Sequence, residues 1–325
     1  MTSLPSVLAA LLNLQADRSA RSVGLPCVVA LLLAGLLLGG CGGAATDDRE
    51  GPVSLRVTRD FGHAELGSVR TAKLADGDTV LRLLRSQFEV ETGPRSIEAI
   101  DGLAATETRR WSFYVNGVEP EDGPADHELL PGDRVQLDYR PEQPDVRAIV
   151  GAYPEPFGSG AGEKRRPVRV ECDAAESDPC RGAKQALEDA GIPVSSSSLG
   201  APGTEAVTRL VVAAWPRARI VRGAPTLEHG PQQSGVFARF AADGATLELL
   251  DADGRVARTV RAGDGTALVA ALQPRADELL WLVTALDREG LAAGVRALRT
   301  TALRDAYAVA VTGAKVEKLP LAAPK

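Results

Sequence analysis

Two stretches gather the side chains best suited to chemistry or recognition. The first, Leu227-Glu228-His229-Gly230-Pro231-Gln232-Gln233-Ser234-Gly235, sets an imidazole, two amides and a hydroxyl into one loop. On a rigid scaffold such a loop contacts a ligand through His229, Gln232, Gln233 and Ser234; the alternative is a turn that satisfies its own polar groups. Pairing Ser234 as nucleophile with His229 as base would make a hydrolase, which also requires a group to orient the imidazole and donors for an oxyanion. No G-x-S-x-G turn supports that chemistry. The second stretch, Trp111-Ser112-Phe113-Tyr114-Val115-Asn116-Gly117, is the richest aromatic group in a chain that is only 4% aromatic. Strand alternation puts Trp111 and Phe113 on one face, as core or stacking platform, and Tyr114 on the other. Tyr114 and Asn116 are then expected on an exposed face, contacting a planar ligand or a partner. Asn116 also suits a tight turn, which favours Asn before Gly.

Little else supports catalysis. His63, His127 and His229 are the three histidines, and none sits in a recognised catalytic setting. Phosphate-binding loops, dinucleotide fingerprints, His-Glu-x-x-His pairs and EF-hand series do not occur in the sequence. Asp243, Asp251 and Asp253 flank hairpin turns, where Asp is expected without calcium. The chain is read as non-enzymatic, with no catalytic residue and no metal ligand assigned. A formal net charge of −6 argues against nucleic acid as a partner, and the basic cluster Lys164-Arg165-Arg166 reads as a solvated turn.

The N-terminal region gives an address. Arg18 and Arg21 precede an uncharged run from Val23 to Gly40, and Leu38-Gly39-Gly40-Cys41 resembles a bacterial lipobox. The resemblance implies a signal peptide over 1–40, a diacylglyceryl group on Cys41 and a polar tether over 41–52. Two acyl chains anchor stably, at about 0.8 kcal/mol per buried methylene. The protein is then exported and anchored on the outer face of the cytoplasmic membrane. The alternative is an uncleaved membrane span, since the run approaches the ~20 apolar residues that cross a bilayer. Outside the cytoplasm Cys172 and Cys180 are expected to form a disulfide, for a nominal gain of about 2–3 kcal/mol. Zinc would need further ligands that the neighbouring sequence does not offer.

Stepping along the chain, residues 53–140 read as a small α+β unit. Val53, Leu55 and Val57 alternate as a strand. Val80, Leu81, Leu84 and Phe88 recur at helical spacing behind a cap at Asp78 or Thr79. Ile97 and Ile100 form a strand ending at Asp101-Gly102, followed by the Trp111–Val115 strand and a last one through Val135, Leu137 and Tyr139. The series Asp78-Thr79-Val80-Leu81, Ile100-Asp101-Gly102, Trp111 to Gly117 and Leu130-Pro131-Gly132-Asp133-Arg134-Val135 resembles the transcobalamin-type C-terminal domain (DUF4430-like). The resemblance implies a β-grasp-like fold. In cobalamin carriers such a domain closes over cobalamin held against an α-helical barrel, and no barrel-like sequence accompanies it here. Cobalamin therefore enters as a ligand suggested by the resemblance alone, and no resident cofactor is expected.

Prolines 141, 144, 154 and 156 and the run Gly158-Ser159-Gly160-Ala161-Gly162 mark 141–166 as an extended connection. Residues 167–325 read as a second domain, an α/β or α+β sandwich of no named family. A strand at 168–171 leads through the cysteine loop to a helix bearing Ala183, Ala186, Leu187 and Ala190. Ser195 to Ser198 is read as loop, and the Leu210–Ala214 strand as completing a βαβ unit. Asp243-Gly244 and Asp253-Gly254 punctuate an antiparallel meander. A strand at 279–284, a helix capped by Asp287 and strands either side of Gly313 complete the order. The expected protein is a ligand-binding lipoprotein beside a transporter; the alternative is an envelope scaffold, and a hydrolase is third.

Overall fold

Val53, Leu55 and Val57 alternate with Ser54, Arg56 and Thr58, and the strand they form, β1 (Val53–Arg59), is the centre of the N-terminal half. The computed structural model describes residues 51–160, 165–174, 177–201, 207–275 and 277–323. Cys41 and the expected signal peptide over 1–40 lie outside the described residues. β1 pairs antiparallel with β2 (Ala64–Thr71). Helix α1 (Val80–Arg85) follows, then a small sheet of β3 (Val90–Thr92), β4 (Ile97–Ile100) and β5 (Leu103–Ala104). β6 (Arg109–Val115) and β7 (Arg134–Pro141) complete a four-stranded mixed sheet of order β2-β1-β7-β6, with β1 and β7 parallel.

One face of that sheet is apolar. Leu55, Val57, Leu137, Trp111 and Tyr139 pack with Val80, Leu83 and Leu84 of α1 in a single cluster. Each fully buried aliphatic side chain contributes about 1.5–3 kcal/mol. Thr79 caps α1 by accepting from the Arg82 N–H at 3.3 Å. The helix stops at Arg85, so Phe88 is not its fourth apolar position. Phe88 instead lies over Gly67, where a Cβ would come within 2.8 Å of its ring. Trp111 and Phe113 take the core side as expected, and the Trp111 indole donates to the Leu103 carbonyl at 3.0 Å.

The C-terminal half begins with β8 (Val168–Cys172), α2 (Asp178–Asp189), β9 (Val194–Ser198) and β10 (Thr208–Ala214). Short helices α3 (Trp215–Ala218) and α4 (Pro231–Ser234), with a 3-10 turn at Ala224–Glu228 between them, lead into the meander β11 (Ala238–Phe240), β12 (Thr246–Leu250) and β13 (Val256–Arg261). Then come β14 (Thr266–Arg275), β15 (Glu278–Ala285), α5 (Arg288–Ala297), β16 (Ala308–Thr312) and β17 (Lys315–Leu319). The seven-stranded sheet runs β17-β16-β14-β15-β10-β8-β9. α2 and α5 contribute to the cluster on one face, and the meander with Trp215 to the cluster on the other. Trp215 stacks on Phe240 with centroids 3.9 Å apart. Gly294 lets α5 approach the sheet, since a Cβ there would meet Ala267 at 2.7 Å and Val283 at 2.8 Å. The class is α+β, as expected.

Three expectations change. Ser195–Ser198 is not loop but most of β9, the parallel edge strand beside β8. Edge strands tolerate polar side chains, and the helix therefore returns first to β9 rather than to β10. β14, absent from the sequence reading, is a continuous apolar run, and runs buried on both faces lack the period-2 signature. The third change concerns 141–166. Its described residues are packed, with Val146, Ile149, Val150 and Phe157 buried. Arg49–Lys325 accordingly forms one compact unit.

Cys172 and Cys180 are disulfide-bonded, joining the end of β8 to the first turn of α2. Asp287 caps α5, accepting from Gly290 N at 2.7 Å and from Gly263 N at 2.8 Å. Burial would raise the Asp287 pKa, but these backbone donors outweigh it and hold the carboxyl low. No described helix is long and apolar enough to cross a membrane.

Candidate functional site

The face of the four-stranded sheet away from α1 carries Ser54, Arg56 and Thr58 from β1, Ser112 and Tyr114 from β6 with Asn116 in the turn that follows it, and Gln136, Asp138 and Arg140 from β7. Residues 146–157, Phe61 and Tyr307 cover it. Asp138 is fully buried, and its oxygens accept from Thr58 Oγ1 (2.7 Å), Phe61 N (2.9 Å), Gly62 N (3.0 Å) and Tyr307 Oη (2.9 Å). Burial pushes its pKa up against the opposing pull of the donors from Thr58, Gly62 and Tyr307. Arg140, also fully buried, donates to the carbonyls of Pro141 at 2.9 Å and Pro144 at 3.0 Å. A polar layer thus joins the two halves of the molecule.

Towards the start of β1 and β7 this layer opens into a cleft of about 680 Å³. Arg56, Arg70, Arg134, Gln136, Glu155 and Arg304 are among its walls, together with Glu65 and Asp305. Arg56 spans it, pairing with Glu65 at 2.6 Å and with Asp305 at 2.5 Å. Burial alone would lower the Arg56 pKa, but those two carboxylates outweigh it and raise it. Arg134 Nη1 donates to the Tyr153 carbonyl at 3.0 Å. Glu155 accepts from Ser159 N at 2.7 Å and Ser159 Oγ at 3.0 Å. Gln136 is 8% exposed, yet its Nε2 has no hydrogen-bond partner. That amide lies at a spot where only glycine fits opposite: a Cβ on Gly62, at φ +76°, would sit 3.2 Å from Nε2 and 3.0 Å from the Asp305 carbonyl. The lining contains no histidine and no cysteine.

The residues singled out from sequence fall elsewhere. Tyr114 is not on an exposed face; it is completely buried, donates to the Val146 carbonyl at 2.9 Å and meets the Tyr307 ring at 5.7 Å. The sequence reading took its side of the strand for a free surface, and Phe61, the 146–157 segment and Tyr307 occupy that surface. Asn116, 1% exposed, is a bolt between two turns. It donates to Asp133 at 2.8 Å and accepts from Arg134 N at 3.0 Å, at φ +53° before Gly117. His229, Gln232 and Gln233 are exposed. Ser234 donates to the Gly230 carbonyl at 2.8 Å and accepts from Val236 N at 3.1 Å, closing its own turn. None of these four lines the cleft. Sequence reasoning missed Arg56, Arg134 and Gln136 because charged or amide residues alternating along a strand read as a solvent face. Arg70 and Arg304 carried no local signal at all.

No curated protein matches the chain. Among solved structures, the chain is similar to a proposed metal-binding protein of Ruminococcus gnavus at 16% identity and TM-score 0.24, over 28% of this chain and 98% of that one. Haptocorrin in complex with Cbi is similar at 16% identity and TM-score 0.22, over 28% of this chain and 25% of that one. Residues 77–140, which hold α1, the Trp111–Gly117 strand and turn, and most of β7, are a domain of unknown function, DUF4430.

Proposed function

We propose that this protein is a non-enzymatic ligand-binding protein whose site is the cleft between β1, β7 and the 304–305 segment. The observation that carries this reading is Gln136, a residue 8% exposed on the wall of a 680 Å³ cleft, whose buried Nε2 has no hydrogen-bond partner. A buried donor left without a partner costs about 1–3 kcal/mol, a cost that a ligand acceptor recovers. The volume falls in the range of small-molecule sites. The lipobox resemblance supports a location outside the cell, with Cys41 holding the protein at the outer face of the cytoplasmic membrane. There it presents its ligand to a transporter or another envelope protein. Cobalamin remains the ligand suggested by family resemblance. A lining without a single aromatic ring offers a corrin nothing to stack on, and supports a smaller polar molecule instead.

The test is a thermal-shift screen of metabolites and cobalamin on the full chain in detergent, repeated on Gln136→Leu. A ligand at 100 times its Kd adds about 2.7 kcal/mol of stability. The expected result is at least one small polar hit that Gln136→Leu weakens. A silent screen would overturn the reading and leave the envelope scaffold.

A further inference from the structure

We infer that the ligand of this cleft is a small anion bearing a phosphate or carboxylate group, an inference that rests on the cleft being a binding site. Four arginines and three carboxylates line it, in a chain whose net charge is −6. The carboxylates are already engaged. Glu65 and Asp305 both pair with Arg56, and Glu155 is bonded to the Ser159 backbone and hydroxyl.

The donors are less committed. Arg70 and Arg304 are exposed and pair with no carboxylate among the described residues. Arg134 is oriented by the Tyr153 carbonyl, which leaves its charge uncompensated. Gln136 Nε2 adds a neutral donor from the buried wall. A cation would find no free carboxylate here, and a neutral ligand would leave two or three guanidinium groups without a counter-charge. An oxyanion with several acceptor lone pairs matches the whole set, because guanidinium forks and amide N–H groups all donate. Arg70, Arg134 and Gln136 come from the four-stranded sheet and Arg304 from the segment before β16, so the anion would also bridge the two halves.

Free phosphate or carboxylate and an anionic lipid headgroup offer the same chemistry. Gly51 and Pro52, where the expected tether ends, line the cleft, so both sources are tested. The probes for calorimetry on the full chain in detergent are inorganic phosphate, succinate and dihexanoyl phosphatidylglycerol. Controls at equal ionic strength are succinamide, putrescine and dihexanoyl phosphatidylcholine. At least one anionic probe should bind and the controls should not. Binding by phosphatidylglycerol alone assigns the anion to a headgroup; binding by phosphate or succinate assigns it to a free solute. Arg70→Ala combined with Arg304→Ala should weaken binding about tenfold or more, with an unchanged Tm because both side chains are exposed.

Silence of all three anions overturns the inference, as does equal binding of succinamide, or affinity unchanged in the double variant. A neutral or cationic ligand whose binding is lost in Gln136→Leu would remove the anionic class while keeping the cleft. A silent metabolite screen removes the cleft itself.

Discussion

The 227–235 loop and the covered face of the four-stranded sheet are built from the same kinds of side chain and end in opposite situations. In the loop His229, Gln232 and Gln233 are exposed, and Ser234 satisfies its own turn. On the sheet face Ser112, Asn116, Gln136, Asp138 and Arg140 are each 8% exposed or less. Water accepts the loop's hydrogen bonds at no cost. On the sheet face a donor or acceptor that protein or ligand does not meet, such as Ser112 Oγ or Gln136 Nε2, costs on the order of 1–3 kcal/mol. Side-chain type shows what a residue is able to do, and burial decides whether it must do it.

Asp138→Ala is the largest test of that difference. It leaves the Phe61 and Gly62 amides and the Tyr307 hydroxyl short of an acceptor in a buried layer, while the Thr58 hydroxyl keeps the Leu137 carbonyl at 2.8 Å. We expect a loss of about 4 kcal/mol in urea unfolding. A loss below about 1 kcal/mol would mean that the layer is wet and no different from the loop. Charge sharpens the same point. Because burial raises the Asp138 pKa, the native state binds its proton more tightly than the unfolded chain does. Its contribution is fully present below the unfolded pKa of about 3.9 and is lost as pH rises through the higher folded value. Wild-type stability relative to Asp138→Asn should therefore fall with rising pH over that window. A difference that grows instead would show that the four donors outweigh desolvation.

The same contrast explains what could be read from the chain. Apolar alternation located β1, β6 and β7, the Asp-Gly pairs located the meander, and Asp287 marked the start of α5, because each signal depends only on nearby residues. The disulfide was legible for a similar reason, with Cys172 and Cys180 as the pair left once Cys27, in the expected signal peptide, and Cys41, at the expected lipidation site, are set aside. The polar face was not legible. Gln136, Asp138 and Arg140 alternate with Val135, Leu137 and Tyr139 as they would on a half-solvated sheet. Phe61, the distant Tyr307 and the folded-back 146–157 segment turn that face into an interior. β9 was hidden in the same way, since four consecutive serines form a strand only because β8 lies beside them. The cleft draws Arg56, Arg134 and Arg304 from segments far apart in sequence, so no local motif could announce it.

The smallest effects belong to the loop, and they complete the comparison. Ser234→Ala removes one donor to Gly230 and one acceptor for Val236 N in a half-buried turn where water reaches part of the vacated site. The expected cost is about 1 kcal/mol by urea midpoint, with affinity for any cleft ligand unchanged. His229→Ala removes an exposed ring and should stay within about 0.5 kcal/mol. Measured on one ligand, the two loop variants and Gln136→Leu form a single experiment. If His229→Ala or Ser234→Ala weakens binding while Gln136→Leu does not, the recognition surface is the exposed loop after all. The unpartnered amide of Gln136 would then be a cost of joining the two halves rather than a handle for a ligand.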